Sequence, residues 1–191
     1  MPRLYFRYGA MNCSKSANAL MTRFNYIERG HTVLLLKPAV DTRDEMKSVT
    51  SRIGLSADAE LFGENTDLFA VFEKSPCDCV IVDEAQFATT EQINQLRKIV
   101  DIMAVSVFCY GLRTDFRSML FPGSRRLFEI ADSISEIKSI CDCGEKATVN
   151  ARYINGKIAR EGEQIFIGGN ENYRGMCHKC WITENEDEHK A

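Results

Sequence analysis

Two hydrophobic patterns alternate along residues 1–140: short apolar runs, and longer stretches whose apolar residues return at helical spacing. Arg3-Leu4-Tyr5-Phe6-Arg7-Tyr8 alternates polar and bulky side chains and predicts a strand. Residues 17–27 carry apolar positions at a helical period, and Gly30 supplies a stop. Continuous apolar runs at 32–36, 79–82 and 104–110 predict strands covered on both faces, with Pro38 ending the first. Helices are expected at 67–73, 90–103 and 125–131, and a last strand at 133–140. Strand and helix in turn predict an α/β fold: a mainly parallel sheet with helices on both faces. Residues 41–52 are polar without periodicity and predict a solvated loop, a common place for mobile catalytic parts.

The pattern changes at Cys141, beyond which there is little helical spacing. Asn155-Gly156 signals a hairpin, and residues 164–167 a further strand. The expected organisation is a nucleotide-binding α/β domain at 1–140, a small metal-bound domain at 141–182, and an acidic, disordered tail at 183–191. His31 and His189 are read as a strand-boundary residue and an idle tail residue.

Chemistry concentrates first between the opening strand and helix. Gly9-Ala10-Met11-Asn12-Cys13-Ser14-Lys15-Ser16 has the form of a phosphate-binding loop, with Ser14 where that pattern asks for Gly. Backbone N–H groups and a helix N-terminus would converge on an anion, Lys15 would add a positive charge, and Ser16 a hydroxyl for Mg²⁺. Taken alone, the stretch also fits an ordinary strand-to-helix turn. Asp83-Glu84, at the end of an apolar strand, strengthens the phosphate reading. Ligands in open α/β sheets sit at the carboxyl ends of strands, where one carboxylate can hold Mg²⁺ and its neighbour can act as base.

The eight cysteines add a second constellation. The start Met1-Pro2-Arg3-Leu4 carries no apolar core of a secretory signal and no run is long enough to span a bilayer, so a cytoplasmic chain with reduced thiols is expected. Cys141-Asp142-Cys143 and Cys177-His178-Lys179-Cys180 could then supply four thiolates to a closed, structural zinc site. Cys77-Asp78-Cys79 has the same look but enters a buried strand without a partner pair, so its cysteines are read as small hydrophobes, like Cys13 and Cys109. Phe166-Ile167-Gly168-Gly169 allows either close approach to a flat ligand or a simple bend. The net charge of −3 gives no basic stripe for nucleic acid.

Together these motifs resemble the zinc-containing thymidine kinases over residues 4–181. The resemblance rests on the loop at 9–16, Asp41-Thr42-Arg43, Asp83-Glu84-Ala85-Gln86-Phe87, Gly111-Leu112-Arg113-Thr114-Asp115-Phe116 and Phe121-Pro122-Gly123-Ser124. It rests also on both cysteine pairs and on Ile167-Gly168-Gly169 with Tyr173. It implies transfer of the ATP γ-phosphate to the 5′-hydroxyl of thymidine. Lys15 would bind phosphates, Ser16 and Asp83 would hold Mg²⁺, Glu84 would act as base, and Arg43 would neutralise charge. The base would lie among Met11, Phe87, Leu112, Phe116 and the loop carrying Phe166, Ile167, Gly168 and Tyr173. Such enzymes are usually tetramers and are inhibited by thymidine triphosphate. Two rivals are weaker. A helicase acidic box would need a second motor domain, for which the chain has no room. A zinc ribbon that binds nucleic acid would need a dense Lys/Arg stripe.

Overall fold

The computed structural model describes residues 1–40, 47–164 and 172–184. Six parallel strands form the main sheet: β1 (Leu4–Tyr8), β2 (Val33–Pro38), β5 (Glu60–Phe62), β6 (Cys79–Val82), β7 (Ser106–Gly111) and β8 (Ser133–Glu136). Their order is β5-β2-β6-β7-β1-β8. Helix α1 (Lys15–Glu28) follows β1; α2 (Leu68–Lys74), α3 (Thr90–Met103) and α4 (Pro122–Ile130) follow β5, β6 and β7. Asp67 caps α2 by accepting from the Phe69 and Ala70 N–H groups, and Thr89 with Gln92 forms a capping box on α3.

The unbroken apolar strands have a direct cause. In β6, Val80 and Val82 pack into one core with Leu68, Phe72, Ile93, Leu96 and Leu127 of α2, α3 and α4. Cys79 and Ile81 point the other way, into a core with Ala19 and Leu20 of α1. Helices therefore cover both faces, and each buried aliphatic side chain stabilises the fold by about 1.5–3 kcal/mol.

The stretch at 41–52 departs from expectation. Its residues 41–46 lie outside the described ones, but Ser48–Thr50 is a strand, β3, paired antiparallel with β4 (Ser56–Asp58). Val49 is buried against the α1 core, and three residues are too few to show a period. The short edge strand β5, paired with β2, was not expected for the same reason. The run at 133–140 forms a strand only as far as Glu136; Ile140 makes an isolated bridge to Lys146 and is 74% exposed.

Beyond residue 140, β9 (Val149–Ile154) pairs antiparallel with β10 (Lys157–Ile158) and β11 (Tyr173–Met176), and α5 (His178–Thr183) follows. The hairpin signal holds: Asn155 and Gly156 both take positive φ, 52° and 78°. Cys141, Ala151, Ile158, Met176 and Cys177 form a small core of their own. Of the strand expected at 164–167 only Gln164 is described, and it lies in a bend; Thr183, expected to begin the disordered tail, instead ends α5, and residues 185–191 lie outside the described residues.

Candidate active site

The register of the sheet sets the site. Tyr8 of β1 lies beside Gly111 of β7, and Val82 of β6 lies between Cys109 of β7 and Leu36 of β2. The segments leaving β1 and β6 thus emerge at one edge, the carboxyl end of a parallel sheet. One cavity of about 150 Å³ is lined there by residues 11–17, Lys37, residues 49–53, Asp83 and Glu84. It brings together Met11, Asn12, Cys13, Ser14, Lys15, Ser16, Asp83 and Glu84 of the expected site. Gly9 and Ala10 form the loop's entry, and a Cβ on Gly9 would stand 2.5 Å from the Ile137 carbonyl oxygen.

The loop is tightly wound. Lys15 is buried, with Nζ donating to the Ala10 carbonyl at 2.8 Å, which folds its ammonium back across the turn. Asn12 and Ser14 both adopt left-handed backbone, with φ 69° and 62°. The position where the phosphate-loop pattern asks for Gly therefore does require positive φ, and Ser there costs on the order of 1 kcal/mol. Ser14→Gly is expected to tighten ATP binding by up to about tenfold. Nucleotide titration of the two proteins checks this, and an affinity unchanged or weakened would refute the strain argument.

Asp83 is buried, and its Oδ1 has no hydrogen-bond partner among the described residues. Burial, then the charge of Glu84, raises its pKa, while Ser16 and Lys15 oppose the shift. A buried carboxylate oxygen without a partner, next to a helix-initiating Ser and a Lys, suits a divalent cation or its water. Glu84 turns the chain out of β6 at φ 50° into a single 3-10 turn, Ala85–Phe87. It is buried, and its Oε2 accepts from Gln86 Nε2 at 2.5 Å.

Of the described residues expected to hold the nucleoside, Met11 lines that cavity and Phe87, Leu112, Phe116 and Tyr173 do not. Phe87 packs edge-on to Phe121. Leu112 and Phe116 are buried, and the Arg152 guanidinium lies 3.8 Å over the Phe116 ring. Arg152 also donates to Tyr173 Oη at 2.7 Å and to the carbonyls of Glu163 and Gln164. Phe116, Tyr173 and the Glu163 and Gln164 carbonyls are thus gathered on one cation. Arg43, Phe166, Ile167 and Gly168 lie outside the described residues.

Asn150 joins the two parts of the chain. Its Oδ1 accepts from the Met11 N–H at 2.7 Å, and its Nδ2 donates to the Thr114 carbonyl at 2.7 Å. Close packing of β11 on the loop adds to this: a Cβ on Gly175 would stand 2.8 Å from the Met11 carbonyl oxygen. Asn150, Arg152 and Lys37 were not singled out from sequence, and Gln86, though part of the motif at 83–87, was given no role. Each is a polar residue inside an otherwise structural run, and only burial marks it.

Cys141, Cys143, Cys177 and Cys180 offer sulfurs that all lie within 4.8 Å of one another, and Cys143 Sγ is 3.7 Å from Cys177 Sγ. Four sulfurs about 2.3 Å from one tetrahedral centre stand about 3.8 Å apart, so the cluster could bind a metal ion. Burial pushes the Cys141 thiol up, but hydrogen bonds from the Cys143 and Cys177 backbone and from neighbouring thiols bring it down to about 7. Hydrogen bonds with the Cys177, Cys143 and Cys141 thiols push Cys180 up to about 12. The other pair behaves as small hydrophobes should. Cys79 is fully buried with its thiol pushed up to about 12, and burial raises Cys77 as well.

Comparison with known proteins gives the family. A family model described as thymidine kinase matches residues 2–181. The chain is 48% identical to a thymidine kinase of Legionella pneumophila (strain Lens), covering 93% of this chain and 88% of that one. It is 47% identical to the thymidine kinase of Enterobacteria phage T4, over 95% and 96% of the two chains. Against that of Agrobacterium fabrum the identity is 46%, over 95% and 97%. The chain belongs to the thymidine kinase family. This thymidine kinase family member carries the loop at 9–16, Asp83-Glu84 and both cysteine pairs in one fold. Among the described residues no helix is long and apolar enough to cross a membrane.

Proposed function

We propose that this chain transfers the γ-phosphoryl group of ATP to the 5′-hydroxyl of thymidine, in pyrimidine deoxynucleoside salvage. The supporting observation is that Lys15, Ser16, Asp83 and Glu84 line one cavity at the carboxyl ends of β1 and β6 in a thymidine kinase family chain. Phosphoryl transfer needs positioning and charge neutralisation more than covalent chemistry, and these residues supply both. The N–H groups of residues 12–16 and the Lys15 ammonium hold the β- and γ-phosphates. Ser16 and Asp83 would hold Mg²⁺, which neutralises developing phosphate charge when bound. Glu84 accepts the proton of the 5′-hydroxyl, and Arg43 completes the charge balance. Leu112, Phe116, Phe87, Met11 and the loop from Phe166 through Ile167 and Gly168 to Tyr173 enclose the pyrimidine and sugar.

Four thiolates would hold structural Zn²⁺ in a unit of residues 141–182 that carries the nucleoside loop, set apart from the α/β domain of 1–140. A cytoplasmic homotetramer with thymidine triphosphate as feedback inhibitor completes the proposal. The exposed apolar side chains Met21, Phe24 and Ile27 on α1 support self-association. Incubation with ATP, Mg²⁺ and a panel of deoxynucleosides is expected to give thymidine monophosphate, phosphorylated at the 5′ position. ATP binding without phosphorylation of any nucleoside would contradict the proposal.

A further inference from the structure

Gln86 uses both ends of its amide on the machinery without belonging to the cavity wall. The residue is 1% exposed. Nε2 donates to Glu84 Oε2 at 2.5 Å, and Oε1 accepts from the Leu112 N–H at 2.9 Å. The partners fix the amide's orientation, because only its NH₂ can face a carboxylate and only its oxygen can face an N–H. The surroundings are cut to this side chain. A Cβ on Gly111 would stand 2.7 Å from Gln86 Oε1 and 3.1 Å from its backbone nitrogen. A Cβ on Gly123 would stand 2.5 Å from the Ala88 carbonyl oxygen and 2.7 Å from that of Ala85, so the turn carrying Gln86 is pinned from α4 as well. Glu84 meanwhile holds φ 50°, a conformation that persists in a non-glycine residue only where its surroundings over-determine it.

We propose that Gln86 is a positioning residue that aims the Glu84 carboxylate and ties that aim to the seating of the loop beginning at Leu112. The inference rests on Glu84 being the base of the proposed reaction. Phe116 lies four residues beyond Leu112 in the same loop, so nucleoside seated against that loop and the group that deprotonates it share one rigid link. A bystander that merely filled space between β6 and β7 would bond neither partner at both ends.

The test uses the full chain, with Gln86→Met, Gly111→Ala and Glu84→Ala, and the double variant of the first and third. Single-turnover phosphorylation of thymidine is followed beside titration with a non-hydrolysable ATP analogue. Gln86→Met is expected to lower kcat about 30-fold while the analogue's affinity stays within about threefold. Gly111→Ala displaces Gln86 without replacing it and lowers kcat about tenfold, which also reports should Gln86→Met fail to fold. On the Glu84→Ala background, Gln86→Met costs less than about threefold more, as for residues that act as a unit. A kcat for the foldable variants within about twofold of the parent, or a loss that multiplies in full on Glu84→Ala, overturns the inference. An active Glu84→Ala enzyme instead overturns the assignment of the base itself.

Discussion

Glu84→Gln is expected to lower turnover by about a hundredfold or more while ATP binds with nearly unchanged affinity. The substitution keeps the size of the side chain and its ability to accept the Gln86 hydrogen bond, but removes its capacity to take a proton. Glu84 lines the same cavity as Lys15 and Ser16, yet leaves β6 through a left-handed residue that sets it apart from Asp83, the carboxylate nearer Ser16. The two acids are therefore expected to separate functionally. Loss of Glu84 should appear in kcat, and loss of Asp83 should appear in the Mg²⁺ concentration needed for half-maximal rate. Steady-state kinetics over a range of ATP and Mg²⁺ distinguishes them. Near-normal turnover in Glu84→Gln would remove Glu84 as the base.

Removing the metal is expected to have the second large effect. Cys141 and Cys177 are part of the small core with Ala151, Ile158 and Met176, and that core is too small to stand without a cross-link. Binding of a structural zinc is worth on the order of 10 kcal/mol of folding free energy in isolated metal modules, so even partial loss is severe. The consequence reaches the active site because β9 and β11 carry Asn150, Arg152 and Tyr173, which hold Met11, Thr114 and the Phe116 ring. Protein purified without chelator should contain about one zinc per chain. After chelation, or in Cys177→Ser, the unfolding midpoint should fall by about 10 °C or more and the KM for thymidine should rise at least about tenfold. Cys77→Ser should leave metal content unchanged. A chelated protein with the parent's midpoint and KM would show that the cysteine pairs do not carry the module.

The elements legible in the sequence were those long enough to show a period or marked by special residues. β6 and the helix α3 were read nearly to their ends, because a two-sided buried strand is continuously apolar and a 14-residue helix repeats its stripe several times. The strand, loop and helix around residues 9–16 were legible from the loop's spacing, and the cysteine cluster because tetrahedral thiolate binding dictates its spacing. β3, β4 and β5 were not, since three residues carry no usable period and their placement depends on partners elsewhere. Asn150, and the role of Gln86 within its motif, were missed for a different reason. An amide looks the same on a surface as in a buried bridge, and only the fold reveals that Asn150 spans from Met11 to Thr114. The decoy Cys77-Asp78-Cys79 was resolved in advance by its position at the start of a buried strand, where Cys79 is fully buried.

The most direct test of the central claim is a structure of the chain with thymidine and a non-hydrolysable ATP analogue, read for one distance. A Glu84 carboxylate oxygen should lie about 2.6–3.2 Å from the thymidine 5′-oxygen, with that oxygen facing the terminal phosphate held by Lys15. A nucleoside bound elsewhere, or a 5′-oxygen more than about 6 Å from Glu84 with both ligands in place, would contradict the account.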